Sequence, residues 1–282
     1  MKPYSVCYEA DLHTHTIASD GELAPAELVR YAAGGGVRLL AVTDHDTLSG
    51  LPEAQEAAAA AGIEFLPGLE INTSWRGREI HVLGYLPSAF SPLLAQRLAD
   101  IRVKRFERMQ RIVDKLNSLG IGLRPEDVLR EAADAAPGRP HIAKALCRGG
   151  YGASVADAFR HWLAQGAPAF VPRYPLTPED AVAWIREAGG IPVIAHPGDA
   201  DLTAAEIAAW MPGGLRGLET RHPHHDEAQT AKYTRWADEL GLIRTGGSDF
   251  HGPGVRPGTE PGCRGVSLAE AEILRRGFTG GA

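Results

Sequence analysis

The apolar positions of the chain fall into two rhythms. Over the first ninety residues, short apolar runs bounded by turn residues alternate with stretches of helical spacing. Residues 6–12, 37–43 (VRLLAVT), 63–69 and 78–85 predict strands, and the second of these is apolar enough to be buried. Residues 25–33 predict a helix with Pro25 in its first turn and Gly34-Gly35-Gly36 as its stop. Residues 51–61 predict an Ala-rich helix ending at Gly62. Strands and helices in alternation predict parallel βαβ units. At Ser91-Pro92, a good N-cap and first helical position, the rhythm changes. From there to Leu119 one long helix is predicted, with Leu98, Ile101, Met109, Ile112, Leu116 and Leu119 at helical spacing. Helices over 124–135, 140–148 and 154–163 follow, with no convincing strand between them. The α/β rhythm then resumes. Strands are predicted at 191–195, 215–220 and 242–245, and helices at 177–188 and 227–240. Thr203-Ala204-Ala205-Glu206 and Ser267-Leu268-Ala269-Glu270 are capping boxes that open two more helices. The organisation expected is an α/β domain of about seven strands over 1–94 and 169–282, interrupted by an all-helical insertion over 95–168.

Composition narrows the classes. A chain of 282 residues, 44% hydrophobic and 23% charged, is ordinary globular material. Its formal net charge of −6 argues against a general duplex-DNA binder, although a small anionic substrate in a local site remains compatible. Cys7, Cys147 and Cys263 are odd in number and far apart. They suggest no disulfide framework and fit a reducing, cytoplasmic setting. No apolar run reaches the ~18 residues of a membrane span, and the first residues lack a signal-peptide pattern. No membrane association and no obligate protein partner is expected.

Histidine carries the chemical information. Asp11-Leu12-His13-Thr14-His15 follows a strand pattern, and in an extended segment Asp11, His13 and His15 point to one side. Two imidazoles so placed at the end of a strand are a ready pair of metal ligands. The same kind of pattern recurs. Thr43-Asp44-His45-Asp46, Gly68-Leu69-Glu70, Ala195-His196-Pro197 and Gly247-Ser248-Asp249-Phe250-His251 each close or follow a predicted strand, and Glu79-Ile80-His81 lies inside one. A lone histidine after a strand is ordinarily a satisfied loop residue. Five or six strand ends that each present His, Asp or Glu are another matter, because ligands in parallel α/β barrels converge at the C-terminal face of the strands. Imidazole and carboxylate without thiolate suits Mn, Fe or Zn in a catalytic site with open positions.

In these residues, together with Ser19-Asp20-Gly21, the chain resembles the PHP superfamily, named for the polymerase and histidinol phosphatase proteins. The matching motifs run in family order from residue 11 to 251. The resemblance implies a distorted (β/α)7 barrel of the PHP type with the helical insertion, and a centre of three divalent metal ions, manganese first and iron or zinc as alternatives. By position, His13, His15, Glu70 and Asp249 would hold the first ion. Glu70 would bridge to a second, completed by His81 and His196. Asp20, His45 and His251 would hold the third. Some family members carry His in place of Asp20, which leaves the metal preference of that site open. Gly138-Arg139-Pro140-His141-Ile142-Ala143, Phe170-Val171-Pro172 and Thr245-Gly246-Gly247-Ser248 look like the branch of 3′,5′-nucleoside bisphosphate phosphatases and RNase AM. That branch removes a 3′-phosphate from doubly phosphorylated nucleotides, and some of its members trim short RNA from the 5′ end.

The implied catalyst is a metal-bound hydroxide rather than a serine or cysteine, since metal binding lowers the pKa of water from 15.7 to about 7. The expected partner is a nucleotide or short RNA. For its anionic groups the sequence offers Arg139 and His141 at a helix start, where N–H groups favour phosphate, and His222 and His225 after the strand at 215–220. His224 reads as solvent-exposed, and Asp44 and Asp46 as residues that orient ligands. The long helix carries seven basic and three acidic residues over 97–115, with Arg97, Lys104, Arg108, Arg111 and Lys115 on one face. This reads as a solvated face ahead of an RNA-binding arm. Two readings compete with a phosphoesterase: an amidohydrolase-type metal hydrolase of a small molecule, and a non-catalytic, metal-stabilised module.

Overall fold

Seven strands set the frame of the protein. The computed structural model describes residues 7–133 and 135–278; Val6, at the head of the first predicted strand, lies outside them. The elements run β1 (Ala10–Asp11), α1 (Pro25–Gly35), β2 (Leu39–Val42), α2 (Leu51–Ala61), β3 (Glu64–Trp75), β4 (Arg78–Tyr85), α3 (Pro92–Ser118), α4 (Pro125–Ala132), α5 (Arg139–Arg148), α6 (Val155–Ala158), a π-turn at Phe159–Leu163, α7 (Pro178–Glu187), β5 (Ile191–Ile194), α8 (Ala204–Trp210), β6 (Gly217–Arg221), α9 (Glu227–Leu240), β7 (Ile243–Gly246) and α10 (Leu268–Arg276). Both predicted capping boxes form: Thr203 caps α8 and Ser267 caps α10, each accepting from the N–H of the Glu three residues on.

The sheet follows chain order from β1 to β7. Its ends meet through backbone hydrogen bonds. The N–H of Leu12 donates to Gly246 O at 3.2 Å and that of Asp249 to His13 O at 2.8 Å, so the sheet is nearly closed into a distorted barrel. Gly247 makes this seam possible, because a Cβ there would lie 2.3 Å from the Cβ of His13.

One expectation fails. β1, β2 and β3 are parallel, as are β5, β6 and β7, but β4 runs antiparallel to both β3 and β5. Only Arg76 and Gly77, both at positive φ, separate β3 from β4. Two residues suffice for a hairpin, whereas a parallel crossover needs a dozen. β3 also outruns its predicted end by six residues, so Glu70 sits in mid-strand and does not close it.

β2 explains its own sequence. Leu39 and Ala41 face one apolar cluster with Leu12, Leu66, Leu83 and Val193, while Leu40 and Val42 face another with residues of α1 and α2. Burial on both faces demands the unbroken apolar run.

The chain divides into two compact units: residues 1–95 with 175–282, and residues 96–174. Among its described residues the regular elements of the second unit are all helical, and residues 169–174 cluster with it. Its core joins Met109, Ile112, Val113 and Leu116 of α3 to Val128, Ile142, Leu146 and Leu163. Leu119 is left exposed because α3 has ended at Ser118 and the chain turns at Gly120, φ 85°.

Candidate functional site

The site is built at the strand ends and in the middle of the β3–β4 hairpin. Glu70 is its centre. Oε2 faces three imidazoles, with His45 Nδ1 at 3.1 Å, His13 Nε2 at 3.2 Å and His15 Nε2 at 3.3 Å. Oε1 faces two more, with His81 Nδ1 at 2.8 Å and His196 Nε2 at 3.0 Å. Asp249 turns Oδ1 to His15 Nε2 at 3.1 Å, His251 Nδ1 at 3.4 Å and His13 Nε2 at 3.5 Å. Asp20 Oδ1 lies 3.3 Å from His251 Nε2. All nine residues expected as ligands are therefore brought together.

Their ligand atoms form three overlapping groups that could each hold a cation: His13, His15, Glu70 and Asp249; His15, Asp20, His45 and His251; and His45, Glu70 and His81. The first is the set expected. In the second, His15 joins Asp20, His45 and His251. In the third, His45 stands with Glu70 and His81, while His196 stays beside Glu70 on the same oxygen as His81. Sharing of this kind follows from the hairpin, which places His81 across the sheet from Asn72, two residues from Glu70.

The donor set fits divalent cations. His13 Nε2, both ring nitrogens of His15, His45 Nδ1 and Asp20 Oδ1 are buried without a hydrogen-bond partner among the described residues. Left that way, each costs roughly 1–3 kcal/mol. The charges point the same way. Burial would raise the Glu70 carboxyl, yet His45, His13 and His81 around it hold it well below the usual carboxylate range. Asp249 and Asp20 are held low likewise against their burial, Asp249 by Arg256 and His13, Asp20 by His45 and His251. Burial pulls His15 down, but Asp249 and Glu70 outweigh it and push its pKa up to about 9. Three buried carboxylates among imidazoles are stable only when paired or holding metal.

A surrounding layer fixes the ligands. Glu219, fully buried in the middle of β6, accepts from His13 Nδ1 at 3.0 Å and from the N–H of His196 at 2.7 Å. The first bond sets the His13 tautomer and leaves Nε2 for a cation. His251 Nδ1 donates to Asp249 O at 2.9 Å, which does the same for its Nε2. Asp44 accepts from the N–H and hydroxyl of Thr16, both at 2.7 Å, and from the Ser19 hydroxyl at 2.6 Å, so it holds the loop that carries Asp20. Asp46 accepts from the backbone and side chain of Asn72 at 3.0 and 2.9 Å. Asp11 is fully buried and accepts from the N–H groups of Gly262, Ser248 and His13. Burial raises its pKa to about 6. Asp46, His196 and Asp249 all have positive φ, a strain of order 1–3 kcal/mol each that marks a site held by its surroundings.

Sequence reasoning passed over Glu219 and Arg256. The first had a visible signal: Gly217-Leu218-Glu219 repeats Gly68-Leu69-Glu70 at another strand. Arg256, whose guanidinium pairs with Asp249, comes from a loop without pattern.

The four residues expected to bind substrate fare differently. His222 is buried and donates from Nε2 to Asp249 Oδ2 at 3.1 Å, which makes it a support for that carboxylate. His225 uses both ring nitrogens within the protein: Nδ1 donates to Thr220 O at 3.1 Å, and Nε2 accepts from Gly198 N at 3.4 Å. His141 Nδ1 accepts from the N–H of Gly138 at 3.1 Å and caps its own helix. Arg139 is nearly buried. It lies over the rings of Phe159 and Phe170 and donates to Leu163 O at 3.3 Å. With Arg105, Arg108 and Arg173 it lines one small cavity of the helical unit. The basic face of α3 is partly structural, since Arg108 Nε and Lys115 Nζ each donate at 2.8 Å to carbonyls of 170–171. His224 is half-exposed and shares Asp199 with His196.

A nearly closed seven-stranded barrel with a His, Asp and Glu cluster at its strand ends defines a metal-dependent phosphoesterase of the PHP type. The chain belongs to the PHP family: residues 11–121 match the PHP domain, and full-length relatives agree. It is 38% identical to the 3′,5′-nucleoside bisphosphate phosphatase of Chromobacterium violaceum, covering 94% of this chain and 98% of that one. It is 35% identical to the 5′-3′ exoribonuclease Rnm of Escherichia coli, covering 89% and 87%. A crystal structure from Bifidobacterium adolescentis, described as a metal-dependent phosphoesterase, superposes with a TM-score of 0.88 at 30% identity over 98% of both chains.

Proposed function

We propose that this phosphoesterase removes the 3′-phosphate from nucleoside 3′,5′-bisphosphates in the cytoplasm, and that it also trims short 5′-phosphorylated RNA. The observation that carries the reading is Glu70, whose two oxygens together face five imidazoles. A carboxylate so placed suits the bridging ligand of a multinuclear centre. The names of the relatives above support the substrate class.

Three divalent ions, manganese in the first place, would be held by His13, His15, Glu70 and Asp249; by Glu70, His81 and His196; and by Asp20, His45 and His251. When bound they supply an activated water and charge stabilisation for the phosphoryl oxygens. The remaining work belongs to the chain. Glu219 orients His13, and His222 steadies Asp249. Asp44 fixes the loop of Asp20. Against a charge of −3 from Asp20, Glu70 and Asp249, three dications would leave a positive site that suits a dianionic phosphoester. The guanidinium of Arg139 has the chemistry to recognise a phosphate group.

The test is a screen of the manganese-loaded protein against 3′-, 5′- and 3′,5′-phosphorylated nucleotides and short 5′-phosphorylated RNA. Phosphate release is expected to be fastest from the bisphosphates. No turnover of any of them rejects the reading. Arg139→Ala is expected to raise KM for the bisphosphate about tenfold, the roughly 1.4 kcal/mol of one charge-assisted hydrogen bond, with little change for an aryl phosphate. Equal effects would remove Arg139 from recognition.

A further inference from the structure

The carboxylate of Asp249 divides its two oxygens between two kinds of partner. Oδ1 faces the imidazoles of His13, His15 and His251. Oδ2 faces His222 Nε2 at 3.1 Å and the guanidinium of Arg256. Arg256 also reaches Asp249 O at 3.5 Å. Both contacts use Nη1. The Nε and Nη2 groups make no hydrogen bond among the described residues, and about a third of the side chain is exposed. Among those residues, no other lysine or arginine pairs with Asp20, Glu70 or Asp249.

The loop that carries Arg256 is pinned rather than loose. The N–H of Arg256 donates to Gly252 O at 3.0 Å, and its carbonyl accepts from the Thr259 hydroxyl at 2.7 Å. Gly254 N–H donates to Glu22 Oε2 at 2.8 Å, while Glu22 N–H donates to His251 O at 2.8 Å. Gly252, at φ 110°, lets the chain pass Glu22 where a Cβ would stand 2.5 Å from its carboxylate. A guanidinium offers five donors in a planar fork that matches two phosphoryl oxygens, and here one nitrogen anchors it while the rest stay available. A preset cation beside the reacting phosphorus stabilises charge that grows on the non-bridging oxygens.

We propose that Arg256 is a phosphate-binding residue of this centre: Asp249 Oδ2 holds its guanidinium beside the cluster, and its unused N–H groups donate to a non-bridging oxygen of the scissile phosphoryl group. The inference rests on the phosphoesterase reading above and adds the residue that receives the phosphate.

The experiment measures inorganic phosphate binding to the manganese-loaded protein by calorimetry, with metal content determined on the same samples. Wild type, Arg256→Ala and Arg256→Lys are compared. The expected result is a loss of at least tenfold in phosphate affinity for Arg256→Ala with metal content unchanged. A smaller loss is expected for Arg256→Lys, whose ammonium keeps the charge without the fork. Added guanidinium ion should restore part of the phosphate release by Arg256→Ala. Unchanged phosphate affinity in Arg256→Ala overturns the proposal, and so does a fall in metal content that accounts for the loss, since Arg256 would then only support Asp249. A wild-type protein that turns over phosphoesters beside an equally active Arg256→Ala variant rejects Arg256 alone. A wild type that neither binds phosphate nor releases it rejects the phosphoesterase reading itself.

Discussion

The two units of the chain solve opposite problems. The helical unit buries methyl groups: Met109, Ile112, Leu116, Ile142 and Leu146 pack at helical spacing, and its charged groups lie mostly outside that core. The barrel unit buries charge. Asp11, Asp20, Glu70, Glu219 and Asp249 are all buried, among six or more imidazoles. One unit is stable by what it keeps from water. The other needs a partner for what it has removed from water, and overlapping groups of His, Asp and Glu show what that partner is. Substitutions in the two should therefore fail in different ways.

The largest effect is expected at the cluster. Asp249→Asn, which keeps the residue's tolerance for φ 49°, should lower turnover by about 10³-fold or more, the several kcal/mol that a bound metal supplies. Circular dichroism should stay native. Turnover within tenfold of wild type would remove Asp249 from the ligand set. Next comes the apolar core of the other unit. Leu116→Ala should cost roughly 2–5 kcal/mol of stability, read by denaturant titration, with metal content untouched. Loss of metal in this variant would show that the two units are not independent. Glu219→Gln follows, with metal affinity about 10- to 100-fold weaker because the bond that sets the His13 tautomer is spoiled. Competition with a chromophoric chelator reads this directly, and wild-type affinity would make Glu219 a bystander. The smallest effect concerns protons. His13, His15 and His196 are raised in the metal-free protein, His15 to about 9. A raised histidine is protonated below its pKa, and a cation must displace that proton. Metal uptake at pH 7.5 should thus release protons, and affinity should climb with pH until about 9. Calorimetry in buffers of different ionisation enthalpy tests this, and uptake without proton release would contradict it.

The same contrast governs what could be read from the residues alone. Apolar periodicity reports burial of methyl groups, so the helical unit and the two-sided burial of β2 were legible. The gathering of nine His, Asp and Glu residues was legible too, because imidazoles near strand ends stand out against a −6 globular background. The direction of β4 was not. Nothing in 78–85 distinguishes a parallel from an antiparallel strand, and the decision lies in a two-residue turn. The roles of Arg139, His141, His222 and His225 were hidden for a related reason. A polar side chain looks the same in sequence whether its nitrogens face a ligand or, as in His225, the carbonyl of Thr220 and the N–H of Gly198. Arg256 shows the converse, a cation whose importance comes wholly from where a patternless loop sets it.

The seam of the barrel carries a consequence for how the enzyme comes into being. His13 and Asp249 exchange a backbone hydrogen bond although 236 positions separate them in the chain. A ribosome that has released the first histidines cannot yet offer a finished cage; that must wait until Asp249 has emerged and docked. A product cut short before this final segment lacks both Asp249 and His251, and it should be metal-poor and inert however well its helices have formed.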